Sequence, residues 1–136
     1  MRSPLVALHN ALYTALNDNV ASASTYAFVP MSPSYPYIFI DEKQVRKDGG
    51  NKGRNRYLIR AKLVVLTNSD SINDVQVIVN EIAEDALSAT LTLTDDWAVF
   101  KQSEISEFRV FPANHLDGSQ GHAAEIFNDF IIIDTL

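Results

Sequence analysis

Cysteine is absent from the 136 residues, so neither a disulfide nor a thiolate metal site can contribute to the fold. Glycine is scarce, and three of the five glycines fall together at 49, 50 and 53. Long apolar runs are missing too. The longest, such as residues 63–66 and 130–133, fall far short of the roughly 20 residues that a helix needs to cross a bilayer. These absences predict a soluble protein, made inside a cell, with no membrane partner. The first residues include Arg2, but His9 and Asn10 interrupt the short apolar stretch, which reads as a helix and not as a signal peptide.

Positive charge is nearly absent from most of the chain. Outside residues 43–62 only Arg2, Lys101 and Arg109 face sixteen acids. Inside that window lie Lys43, Arg46, Lys47, Lys52, Arg54, Arg56, Arg60 and Lys62, with Asp48 as the only acid. An acidic body with one basic projection has a head and a tail, because the projection of one copy attracts the body of another. The pattern suggests a docking protein more than an enzyme. Net acidity argues against nucleic-acid binding by the body and leaves only the basic stretch for it.

A hydrophobic content of 46% with 21% charged residues is ordinary for a globular chain of one domain. Ser3-Pro4 has the form of a helix start, and Leu5, Leu8, Leu12 and Leu16, with Val6 and Ala15, then recur at helical spacing. Residues 26–29 read as a short strand. Pro30, Pro33 and Pro36 make the following connection extended and exclude a helix there.

Residues 37–45 and 57–67 read as strands around a flexible, glycine-bearing loop at about 46–56, together a long basic hairpin. Tyr57, Ile59, Ala61, Leu63 and Val65 share one face of the second strand. Arg56, Leu58, Arg60 and Lys62 share the other, which turns apolar at Val64 and Leu66. Ser71 and Asp74 have capping-box spacing ahead of a second helix, residues 72–89. Its stripe is Ile72, Val75, Val79, Ile82, Ala83, Ala86 and Leu87. Two further strands, 97–111 (bent or interrupted at 103–106) and 122–133, close the chain. The expected fold is therefore a single α+β domain over residues 1–136, an antiparallel sheet of four to five strands with two helices packed on it.

Motifs for catalysis are weak. The run Gly49-Gly50-Asn51-Lys52-Gly53 has the wrong spacing for a phosphate loop, no Ser or Thr follows the lysine, and a strand follows instead of a helix. His9, His115 and His122 fall on three different elements, without the short spacings of a metal site. Asp41 and Glu42 are adjacent on a strand and point to opposite faces. One of them is expected to pair across the hairpin with Arg60 or Lys62. No nucleophile-elbow motif is present. No enzyme activity, cofactor or metal is expected.

The Leu-rich first helix, the segment Pro36-Tyr37-Ile38-Phe39-Ile40, the charged hairpin and the second helix together resemble a known pattern. It is that of the small tail-completion or tail-terminator proteins of long-tailed bacteriophages and related prophage elements. The resemblance spans roughly residues 5–133 and rests on element order, with no catalytic motif.

It implies a virion structural protein at the head-proximal end of the tail, present in the host cytoplasm during assembly. Such a protein forms a homo-oligomeric ring, typically hexameric, that caps the tail tube and presents its other surface to the neck. The implied partners are further copies of the chain, the major tail tube protein and a head-closure protein, with DNA only passing through the lumen. Arg46, Lys47, Lys52, Arg54 and Arg56 are the candidate contacts to a neighbour or to tube protein. A head-closure or minor tail protein shares the size and charge layout, and a small nucleic-acid-binding module is a further alternative.

Overall fold

The computed structural model describes residues 3–51, 54–115 and 118–135, with the side chains of 42, 48–51, 54 and 103–107 outside the description. The elements in chain order are α1 (Pro4–Asn19), β1 (Ser24–Tyr26), β2 (Tyr37–Asn51), β3 (Arg54–Thr67), α2 (Ile72–Glu81), β4 (Trp97–Asn114) and β5 (Gln120–Asp134). The fold is α+β, one five-stranded sheet in the order β1-β2-β3-β5-β4. Four strands form antiparallel ladders, but β1 runs parallel to β2, so the sheet is mixed at that edge. That pairing follows from the long return of residues 27–36, which brings the chain back to begin β2 beside the start of β1.

Local chemistry fixes the helices. Ser3 accepts a hydrogen bond from the Val6 amide at 3.3 Å, and Pro4 occupies the first turn, where no amide proton is needed. Ala7, Leu8, Leu12 and Leu16 are buried while Val6 faces solvent, so Val6 does not belong to the apolar stripe. The expected capping box at α2 is not reciprocal. Ser71 accepts from the Asn73 amide, and Asp74 is instead taken by the Ser69 hydroxyl at 2.5 Å. Ile78 joins the buried stripe, and Ile72 is exposed.

The second helix ends earlier than its periodicity suggests. Residues Ile82–Ala86 widen into a π-helical turn, with the Leu87 amide donating to the Ile82 carbonyl at 2.9 Å. Beyond it Gln102 of β4 acts as a remote cap. Its Nε2 donates to the Leu87 and Ala89 carbonyls at 3.0 Å, and its Oε1 accepts from the Leu91 amide at 3.0 Å. A side chain fifteen residues downstream of Leu87 thus replaces the helical hydrogen bonds of residues 87–89.

The core lies between the helices and one face of the sheet. Ile59, Ala61, Leu63 and Val65 of β3 are fully buried there, with Ala124, Ile126, Phe130 and Ile132 of β5. Helix α1 packs over β1 and β2, and α2 over β3 and β5. Helices sit about 8–10 Å apart and strands about 4.8 Å, so two helices cover roughly four strands. The fifth, β4, lies at the margin of the helix layer, with Trp97 buried in the core and Phe108 exposed. Gly121 marks a tight point in the frame, where an added Cβ would come within 1.9 Å of the Thr67 carbonyl oxygen.

The hairpin is more regular than its glycines suggest. The β2–β3 ladder continues through Lys47↔Tyr57, Gly50↔Asn55 and Asn51↔Arg54, with register shifts after Ile40 and after Lys47. Much of the segment expected to be loop is thus ladder. Strand β4 is continuous across 103–106, but its register shifts three times between Val99 and Glu107.

Candidate assembly surfaces

Strand alternation divides the basic cluster between two faces of the sheet. Lys43 pairs with Ala61 and Lys47 with Tyr57, so both lie on the helix side of β2. The Lys43 ammonium reaches His9 Nδ1 of α1 at 3.3 Å. Burial, and then the Lys43 cation, push the His9 pKa below its ordinary value, so the ring stays neutral and accepts this hydrogen bond. Burial likewise lowers Lys43. Arg46 pairs with Leu58 on the opposite face, and both Arg46 and Lys47 are exposed. Arg56 is half-buried on β3. Lys52 lies outside the described residues, as does the Arg54 side chain.

The remaining bases of the cluster are neutralised within the subunit. Arg60 Nε donates to Asp129 at 2.9 Å, and its guanidinium lies 5.6 Å from the centre of the Phe127 ring. Lys62 Nζ sits 3.2 Å from Asp41 and 2.8 Å from Glu125, and Arg109 meets Glu125 at 2.6 Å. The expected cross-hairpin pair is therefore Asp41 with Lys62. The result is a charge ladder, Asp41–Lys62–Glu125–Arg109, crossing β2, β3, β5 and β4 with alternating sign.

Mutual support shifts both central groups. The hydrogen bond from Lys62 holds the Glu125 carboxyl below the usual carboxylate range, with Arg109 adding to it against the opposing cost of burial. The hydrogen bond to Glu125, and then that to Asp41, raises Lys62. Each charge stabilises its neighbour's ionised form.

This ladder occupies the face of the sheet that no helix covers. Around it Phe39, Leu58, Leu66, Phe111, Phe127, Ile131 and Ile133 are half-buried, and Tyr37 and Val64 are buried. At one end of the face Tyr35, Tyr37 and Phe39 form a row of ring contacts at 5.3 and 6.1 Å, with His115 at 4.8 Å from Tyr35. His115 Nε2 lies 2.6 Å from the Thr67 carbonyl oxygen and His122 Nδ1 lies 3.1 Å from that of Ser69. With ring N–H groups donating, both histidines pin the turn after β3. Among the described residues no group of three or more His, Asp or Glu is placed to hold a metal ion.

Sequence reasoning found Lys62 and Asp41 but passed over Glu125, Asp129 and Arg109. Their signal was present, since Glu125, Phe127 and Asp129 alternate along β5 with the period of Arg60 and Lys62 along β3. Only the β3–β5 register, Arg60↔Asp129 and Val64↔Glu125, shows which charges meet.

No family model matches the chain, and no curated protein matches it in sequence. Among solved structures, a chain described as "Virion of native gene transfer agent (GTA) particle" shares the fold with a TM-score of 0.67 at 16% identity. The likeness covers 97% of this chain and 99% of that one, so it is a likeness of the whole fold.

Proposed function

We propose that this chain is a non-enzymatic structural protein of a phage-like virion, a tail terminator. It forms a ring that caps the tail tube and joins it to the head connector. The observation that carries the reading is the end-to-end fold likeness to a chain of a gene transfer agent virion, in a molecule of nearly equal length. The order of elements points the same way, and so does the charge layout. Its partners are other copies of itself, most simply in a hexameric ring, the tail tube protein and a head-closure protein. The ring sits at the head-proximal end of the tail and is assembled from subunits in the host cytoplasm.

Arg46 and Lys47, together with Lys52, Arg54 and Arg56, are the proposed contacts to a neighbour. Internal pairing of Arg60 and Lys62 reduces the positive field available for phosphate, which disfavours the reading as a nucleic-acid-binding module.

Deleting the gene and imaging the particles tests the proposal. Loss of a terminator leaves tubes of uncontrolled length that fail to join heads. Tails of normal length that still fail to join would reassign the chain to head closure, and intact particles would remove it from the head–tail junction.

A further inference from the structure

Two apolar features reach the surface at opposite edges of the sheet. The first is the connection 27–36 beside β1, where Phe28 is 88% exposed and Met31 fully so, at 103%. Pro30 and Pro33 restrict this loop, and the Ser34 amide donates to the Tyr26 hydroxyl at 3.2 Å. The second is a groove of about 370 Å³ at the end of the helix layer, between α2 and β4. Val79, Ala83 and Phe108 line it, with Gln76 and Asn80 at its sides, and Phe108 is 56% exposed. Two large, exposed apolar side chains on one proline-restricted loop make it a candidate contact surface.

The strand registers put Phe108 and the end of β1, from which the knob departs, at one height. Phe108 pairs with Ile126, Ile126 with Leu63, and Leu63 with Ile40. On the far edge Tyr26, two residues before Phe28, pairs with Phe39, the neighbour of Ile40. A knob and a groove at equal height on opposite edges allow copies to join side by side without climbing along the strand direction. That is the condition for a head-to-tail contact that closes on itself.

Charge favours the same match. The segment from Ile72 to Ala86 carries Asp74, Glu81, Glu84 and Asp85 and no Lys or Arg. Exposed Glu84 accepts from Asn80 at the side of the groove, at 3.4 Å. Strand β2, next to the knob, carries three bases and three acids; Lys43 is held by His9 and Asp41 by Lys62, which leaves Arg46 and Lys47 as its exposed bases.

We infer that Phe28 and Met31 of one copy seat in the Val79–Ala83–Phe108 groove of a second copy, with the basic edge of β2 turned toward the acidic second helix. This contact rests on the ring-forming reading above and gives it a specific interface.

The absence of native cysteine makes the contact directly testable. Met31→Cys and Ala83→Cys are introduced into one full-length chain, which is oxidised in solution and in assembled particles. The control pairs Met31→Cys with Asn10→Cys, an exposed position on α1. The expected result is a ladder of covalent multimers from the 31/83 pair alone, with each single variant remaining uncross-linked. Adding Phe28→Asp to the 31/83 variant should lower the yield about tenfold or more, the effect of removing an interface anchor.

Cross-linking no better than in the control overturns the contact, as does capture of position 31 only by a different virion protein. Native mass measurement of the unmodified protein separates the two readings. Closed rings without a 31/83 link remove this interface and leave the ring. A 31/83 link in open chains keeps the interface and removes the ring.

Discussion

On the helix side of the sheet, Ile59, Ala61, Leu63 and Val65 of β3 meet Ile126, Phe130 and Ile132 of β5 in complete burial. One residue along each strand, the side chains are Arg60, Lys62, Glu125 and Asp129, joined in pairs across the sheet. The same two strands thus build an apolar core on one face and a charge ladder on the other. Stability resides mainly in the first, because burying a Leu or Phe is worth about 1.5–3 kcal/mol while a partly exposed ion pair is worth about 0–1 kcal/mol. The second face contributes pairing between strands and a surface of nearly balanced charge.

The largest expected difference is at Phe130, which is fully buried. Phe130→Ala should cost about 3–5 kcal/mol, read as a fall in the denaturant midpoint. If it proved no worse than a change on the charged face, the contrast between the faces would collapse. Gly121→Ala comes next, because its methyl group would enter the space of the Thr67 carbonyl. A loss of about 1–3 kcal/mol is expected by the same measurement.

Glu125→Gln should cost about 1 kcal/mol, because Lys62 and Arg109 lose their shared carboxylate. It should also change the pH profile. The folded-state pKa of Glu125 is depressed, so its contribution is present above the unfolded-state value and is lost as pH falls through the folded one. Lys62 is raised, so its contribution is lost only as pH rises through a value above that of an ordinary lysine. Thermal melts of Glu125→Gln should therefore show a flatter acid limb than those of the unaltered protein. An equally steep limb would assign acid sensitivity to other carboxylates.

The smallest effect on stability belongs to the exposed bases. Arg46→Glu combined with Lys47→Glu should change unfolding by no more than about 0.5 kcal/mol. It should nevertheless impair assembly, counted as head-joined tails in micrographs. Normal assembly would reduce these two residues to solubilising charges on a strand edge.

Much of this architecture is legible in the sequence, for identifiable reasons. The leucines of α1 and the alternation of β3 are strong periodic signals, and both faces of β3 follow from them. The parallel pairing of β1 is not legible, because three residues carry no period and their partner is chosen by the return of the chain. Gly49 and Gly50 pointed to a loop, yet the ladder passes through Gly50↔Asn55, where pairing outweighs the weak local preference of glycine. The charge ladder depends on β3 lying beside β5, partners separated by a helix and another strand. Local pattern identified Lys62 and Asp41 and left Glu125, Asp129 and Arg109 unassigned.

The outer margin of β4 carries a consequence of its own. Three register shifts interrupt its first half, and an exposed Pro112, with no amide proton, stands in its second. Backbone zippering onto that margin is discouraged along its length, as in other proteins whose edges are kept from fibrillising. Copies crowded together can therefore avoid endless stacking through this margin, and any contact made there is left to side chains.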